Sequence, residues 1–275
     1  MDNMRSNLTL LQNRPTRKNG IDPKAAIHPG AILGEGCRVG AYAVIEADVV
    51  LGPGCVVHPH GVVSGPTRMG ERNEIFPFAC IGGAPQDLRH RDEPTTLHIG
   101  SRNTFREHVT VGRGTVHGGG KTVIGDDNLI MAYCHVAHDC RIGSRVVMAN
   151  GATLAGHVSV HDYAVFGGMV AVASFVCIGE SAMLAAGAMI EKDVPPFSMV
   201  AGNRATLRGV NRVGISRRGF SKEAKLEIRR AIRMLKRQSE PLSVVQKQFE
   251  EMSWQTPEGA QLIEFLRELP RGITR

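Results

Sequence analysis

Aromatic side chains are scarce in this sequence: one Trp, three Tyr and nine Phe in 275 residues, 5% in all. The core must therefore be filled mainly by small and branched side chains. No apolar run approaches the roughly 18 residues that span a bilayer, so no transmembrane segment is expected. None of the six cysteines (Cys37, Cys55, Cys80, Cys134, Cys140 and Cys177) forms a Cys-x-x-Cys pair, which argues against a zinc knuckle or a thioredoxin-like site. The first 20 residues contain neither a continuous apolar stretch nor a small-residue cleavage site. No signal peptide is expected, and the protein reads as cytoplasmic and reduced. A disordered composition is excluded as well, because 42% of residues are hydrophobic against 21% charged.

Glycine is abundant, with 32 residues, above the ordinary share of about 7% but far from the one in three, roughly, of collagen. Its placement follows a period of six. Aliphatic or similar residues recur every sixth position from Ile27 to Ile81, resume at Ile99, Phe105 and Val111, and resume again from Ile124 to Ile190, giving 25 in-register positions. A second row, four places on, is mostly small, as in Ala31, Cys37 and Ala43 or Cys134, Cys140 and Ala152. Glycine often follows the aliphatic position, as at Gly34, Gly52, Gly125 and Gly143. A helix repeats at about 3.6 residues and a flat strand at about 2. Six fits short strands separated by turns, with branched residues inward and small ones at corners. A single hexad cannot bury its face, but stacked coils can. The sequence therefore predicts a β-helix, with Cys37, Cys55, Cys134 and Cys140 as core residues.

The breaks in the repeat divide the chain. Residues 21–197 are expected to form the β-helix, with loops near 83–96 and 116–121. The first break keeps the hexad phase and the second shifts it by one residue. Loops on a rigid repeat are favoured places for binding residues. Pro195 and Pro196 end the repeat, and residues 198–275 read as a helical domain. Its helices are expected over Ser221–Ser239, with Ser221 as N-cap and Leu226, Ile228, Ile232 and Leu235 as the apolar stripe, over Pro241–Met252, and over Pro257–Leu269.

Charge is uneven. The formal net charge is +7, yet Arg204–Arg237 holds twelve Arg or Lys against two Glu, leaving −3 for the rest. That field favours anionic partners. Arg217 and Arg218 could grip a pyrophosphate bidentately, and the basic helix could attract an acidic carrier protein. Part of this charge is an ordinary solvated helix face. No nucleic-acid role is expected, since no aromatic interleaving accompanies the charge.

The densest polar cluster within the repeat is Tyr133-Cys134-His135-Val136-Ala137-His138-Asp139-Cys140. Val136 and Cys140 point inward by the hexad rule, which leaves His138 at a corner. The hexads resemble those of hexapeptide acyltransferases, whose coils take 18 residues; at that coil length His138 would stack on Gly156, about 4.8 Å away. A base beside a backbone N–H is what acyl transfer requires, the first to activate a nucleophile and the second to hold an oxyanion. Asp139 or another carboxylate could hold the imidazole tautomer. Two other readings of these histidines are solvated surface residues and a metal site built from His135, His138, His157 and His161.

The hexad pattern resembles the left-handed parallel β-helix of hexapeptide acyltransferases, with 18 residues to each coil. In NEIFPFACIG, PQDLRHRDEPT, RGTVHGGG, AHDC, GATLAGHVSV, FGGM, DVPPF and RRGFS, and in the order of these motifs, the sequence resembles more narrowly the acyl-carrier-protein:UDP-N-acetylglucosamine O-acyltransferases of lipid A biosynthesis. The resemblance covers Ile27 to Arg275. It implies a mainly β fold, a left-handed parallel β-helix with a C-terminal α-helical domain, in a homotrimer with active sites between neighbouring β-helices. The implied reaction moves an (R)-3-hydroxyacyl chain from acyl carrier protein to the sugar 3-hydroxyl, without cofactor or metal. It implies His138 as general base with Asp139 beside it, and Gly156 as oxyanion donor. His135 and His157 would contact substrate, Gln86, Asp87 and Arg89 the sugar and phosphates, Asn211 the nucleotide, and Arg217 and Arg218 a phosphate. γ-Class carbonic anhydrases share such a β-helix and place two zinc-binding histidines five apart. Here Cys140 and Asp162 stand five after His135 and His157, so no metal is expected.

Four positions depart from the family pattern. Ala173-Ser174 stands where a His-Gln pair is usual, Val213 where a Glu is common, Arg204 where a His follows Gly-Asn, and Ala186 where long-chain members often have Gly. A side chain at 186 could shorten an acyl channel. The alternatives are a diverged acyltransferase for a different nucleotide sugar, including an amine acceptor, and a non-catalytic β-helix interaction protein.

Overall fold

The computed structural model describes residues 20–236, 241–267 and 271–275. Each coil lays one short strand on each of three faces. The described residues contain 28 strands, many of two residues, in sheets of 11, 9 and 8 strands. So short a strand is stable only because coils above and below hydrogen-bond to it. Leu129 pairs with Val147, Val147 with Val165, and Val165 with Met183, all in parallel. One coil therefore takes 18 residues, the spacing at which Asn128 and Val146 also bond across coils.

The six-residue side has a backbone cause. Two strand residues are followed by a turn through one residue of left-handed φ. Tyr133 (61°), Asp139 (62°) and Arg145 (58°) are the three such corners of one coil. Such φ values are uncommon for non-glycine residues, and their recurrence bends the strand ribbon into a closed triangle. Between corners, Ile130, Val136 and Ile142 point inward with Cys134, Cys140 and Val146, all buried. Cys37, Cys55, Cys134 and Cys140 are buried free thiols, as the hexads predict, while Cys80 is exposed and Cys177 partly so.

Two coils are longer. Glu74 pairs with Thr104 and Thr104 with Leu129. The extra residues leave the helix at one corner, between the second and third faces. One loop joins strands Cys80–Gly83 and Thr96–Ile99, and the other joins Thr110–Gly112 and Lys121–Ile124. At a different corner the same coils are held by buried asparagines. Asn73 Oδ1 accepts from Asn103 N (2.9 Å) and Nδ2 (3.0 Å), Asn103 Oδ1 accepts from Asn128 N (3.0 Å), and Asn128 Oδ1 accepts from Val146 N (2.7 Å). This ladder continues the coil stack where the chain detours into the loops.

After the repeat, strand Ser198–Ala201 extends the first face and turns back, antiparallel, as Thr206–Val210. Four helices follow among the described residues: α1 (Arg212–Arg217), α2 (Lys222–Leu235), α3 (Leu242–Glu251) and α4 (Pro257–Arg267). Ser221 caps α2 by accepting from Ala224 N at 3.0 Å, as expected. The buried face of α2 is Ala224, Ile228, Ala231, Ile232 and Leu235. Leu226 is not part of it; it is 67% exposed, because two residues from Ile228 is about 200° around a helix. The expected helix ends at Ser239 and Leu269 lie outside the described residues. Among the described residues no helix is long and apolar enough to cross a membrane.

Candidate active site

The corner from which both loops depart also carries His138, Asp139, His157 and Phe175. His157 N donates to His138 O (3.0 Å) and Phe175 N to Gly156 O (3.2 Å). The coil spacing thus sets Gly156 against His138, as the count of residues anticipated. Gly156 N–H has no acceptor among the described residues, so it is available to a developing negative charge.

Asp139 is the most enclosed of the group, with its side chain 1% exposed. Its Oδ2 lies 2.8 Å from His138 Nδ1. Thr115 donates to the same carboxylate twice, from N to Oδ1 (2.9 Å) and from Oγ1 to Oδ2 (2.7 Å). Asp139 N in turn donates to Thr122 Oγ1 (2.8 Å). An ionised carboxylate only accepts, so the imidazole Nδ1 carries its proton toward Asp139 and Nε2 keeps its lone pair. The acid–base nitrogen is therefore Nε2.

Two more imidazoles flank the pair. His157 stacks on Phe175 (centroids 4.4 Å apart, planes at 6°) and meets His138 edge-on at 5.2 Å. Burial pushes its pKa below the ordinary histidine value, against the pull of Asp139. His135 bonds Thr110 Oγ1 through Nδ1 at 2.7 Å, and burial, with His138 nearby, also lowers its pKa. Both are thus favoured as neutral hydrogen-bonding groups at neutral pH. A cavity of about 130 Å³ opens here, lined by Cys80, Gln86, Thr110, His135, Ala137 and His138 among others.

Asp87 and Arg89, on the same loop as Gln86, form a bidentate pair, Nε to Oδ1 at 3.1 Å and Nη2 to Oδ2 at 2.8 Å. The Arg89 guanidinium holds the Asp87 carboxyl well below the usual carboxylate range, and His138 adds to the effect. Both loop charges also act on His157. The first loop therefore belongs electrostatically to this site.

Ala186, Asn211, Arg217 and Arg218 do not line this cavity. Ala186 is exposed at the corner between the first and second faces. Asn211 caps α1, accepting from Gly214 N at 3.0 Å and donating to Ser181 O at 2.9 Å. Arg217 is exposed in the last turn of α1. Arg218 is ion-paired with Glu180 and donates to Ser181 Oγ (2.9 Å). Its guanidinium lies 4.0 Å from the centroid of the Tyr163 ring and 4.7 Å from that of Phe220.

Sequence reasoning missed Thr115, Thr122, Thr110 and Phe175. Phe175 was recoverable, since it stands one 18-residue coil after His157. Thr115, in the second loop, and Thr110 and Thr122, in the strands it joins, were not, because the loop breaks the register that makes stacking countable. His138, Asp139 and His157 also bring donor atoms within 4.8 Å of one another. Asp139 Oδ2, however, is engaged at hydrogen-bond distance by both Thr115 and His138, which describes an acid–base pair rather than a coordination shell.

The bacterial transferase hexapeptide family model (six repeats) matches residues 30–65 and 121–156. The second-domain model of UDP N-acetylglucosamine O-acyltransferase matches residues 193–274. The chain is 48% identical, over 93% of its length and 99% of the relative's, to the acyl-[acyl-carrier-protein]–UDP-N-acetylglucosamine O-acyltransferase of Janthinobacterium sp. (strain Marseille). Among solved structures, LpxA from Acinetobacter baumannii is similar at 37% identity with a TM-score of 0.90, covering 93% of this chain and 99% of that one. The UDP-N-acetylglucosamine acyltransferase of Francisella novicida is similar at 32% identity, also with a TM-score of 0.90, covering 93% and 94%. The fold is thus the β-helix that the hexads predict, left-handed and followed by C-terminal helices as the family resemblance implied. With nearly half its residues shared over almost the whole length of a curated relative, the chain belongs to the acyl-[acyl-carrier-protein]–UDP-N-acetylglucosamine O-acyltransferase family.

Proposed function

We propose that the chain transfers an (R)-3-hydroxyacyl group from acyl carrier protein to the 3-hydroxyl of UDP-N-acetylglucosamine, the first step of lipid A biosynthesis. Family membership and the relatives' names support the substrates. The observation that carries the mechanism is the alignment of Asp139, His138 and Gly156, with His138 Nδ1 at 2.8 Å from Asp139 Oδ2. His138 Nε2 takes the hydroxyl proton as the sugar oxygen attacks the thioester carbonyl, and Gly156 N–H donates to the oxyanion. When the tetrahedral species collapses, the C–S bond breaks and the imidazolium returns its proton to the departing sulfur. Transfer is direct, with no acyl-enzyme. Gln86, His135 and His157 offer neutral hydrogen bonds to the sugar, with Asp87 and Arg89 at its edge.

In this reading residues 21–197 hold the chemistry and residues 198–275 recognise nucleotide and carrier. Asn211, Arg217, Arg218 and Ala186 reach a substrate from a neighbouring β-helix of a homotrimer, in the cytoplasm. The test is turnover of 3-hydroxyacyl carrier thioesters of several chain lengths with UDP-N-acetylglucosamine and with its 3-amino counterpart. O-acylated product, reduced about 10²–10⁴-fold in His138→Ala, is expected. Undiminished turnover in that variant rejects the base, and product from the amino sugar alone rejects the acceptor.

A further inference from the structure

We infer that Thr115, in the second loop, is the positioning residue that fixes the Asp139 carboxylate and through it the productive tautomer of His138. The inference rests on His138 acting as the base.

Thr115 is buried (3% exposed) and caps a single 3₁₀ turn, Val116–Gly118. Its Oγ1 accepts from Gly118 N at 3.1 Å. A backbone N–H can only donate, so that contact occupies an oxygen lone pair, and the one hydroxyl proton points along the 2.7 Å contact to Asp139 Oδ2. Thr115 N secures Oδ1 at 2.9 Å. Both carboxylate oxygens are therefore held by one residue, and the acceptor direction that remains at Oδ2 meets His138 Nδ1. The turn also bears directly on the carboxylate: a methyl carbon on Gly118 would fall 2.0 Å from Asp139 Cγ. The second loop thus closes over the Asp139 carboxylate, on the side of the residue that directs the base.

A loop cap alone and a positioning residue differ in what they change. Removing the hydroxyl leaves the Asp139 carboxylate held only by Thr115 N at Oδ1 and by His138 Nδ1 at Oδ2, and concentrates negative charge on Oδ2, which favours the imidazolium over the free base. Thr115→Val keeps the bulk and the backbone N–H. Steady-state kinetics of this variant, once thermal unfolding shows it folded, should give kcat about tenfold lower, the loss expected for one charge-assisted hydrogen bond. KM for both substrates should stay within about twofold, and the acidic limb of the kcat/KM–pH profile should move to higher pH. Thr115→Ser should restore both. In an Asp139→Ala background, Thr115→Val should cost nothing more. Should Thr115→Val not fold, Gly118→Ala, which drives the turn off the carboxylate, is read by the same signature. Unchanged kcat, a pure KM effect, or full additivity with Asp139→Ala overturns the inference. Full activity in His138→Ala overturns the underlying mechanism instead, so the two failures are separable.

Discussion

A methyl group built on Gly156 would lie 2.5 Å from Cε1 and 2.8 Å from Nε2 of His138. The imidazole rests directly on the backbone of the next coil, and the absence of a side chain at 156 is what allows it to do so. Base and proposed oxyanion donor are thereby held by one stacking contact.

Gly156→Ala should therefore act on catalysis more than on folding. Displacing the ring by about an ångström is expected to lower kcat by about 10²-fold, while the unfolding midpoint changes little. Kinetics and denaturant unfolding of the purified variant check this. Wild-type kcat would show that the ring has room to spare.

Acidification should destabilise the fold. His135 and His157 have pKa values lowered by burial, whereas unfolded imidazoles titrate near about 6.5. Between the two values the unfolded chain binds more protons, so stability rises with pH there. The favourable contribution is present above the unfolded value and is lost as pH falls toward the depressed folded values. Urea unfolding at mildly acidic and mildly alkaline pH should show the drop, and His135→Gln should flatten it. A gain on acidification would contradict the assignment.

Asn103→Ala should cost about 3 kcal/mol, because Asn128 N and Gly125 O both lose the Asn103 side chain inside the core. Denaturant unfolding measures it. A loss below about 1 kcal/mol would mean that the coils bearing the loops do not depend on the ladder.

Glu180→Ala should cost about 2 kcal/mol. It strands Arg218, whose side chain is 25% exposed against 19% for Glu180, and frees Gln261, which bonds the other carboxylate oxygen at 2.6 Å. Partial exposure keeps the cost below that of a fully buried pair. Glu180 does not line the His138 cavity but holds Arg218, which in the proposed function reaches the substrate, so KM should rise while kcat stays within about twofold. A matching fall in kcat would tie this cluster to the chemistry.

How much was legible depended on where each residue sits. The inward row from Ile27 to Ile190, the buried cysteines and the departure of two loops followed from the period of six, since a hexad can bury its branched side chains only by stacking. The meeting of His138 with Gly156 followed from the 18-residue coil that the family resemblance implied. Leu226 was misplaced in the helical stripe: it stands about 200° around the helix from Ile228, so it cannot share a face with Ile228, Ile232 and Leu235.

The sequence by itself determined the β-helix and the column of residues at its corner, because a fixed repeat converts distance along the chain into distance in space. Only the tertiary structure decided what holds that corner. Thr115 reaches Asp139 from 24 residues away and Glu180 captures Arg218 from 38 residues away. Neither separation is a whole number of coils. Once a loop or a hairpin interrupts the repeat, contacts are set by the packing of the irregular segment rather than by any count along the chain.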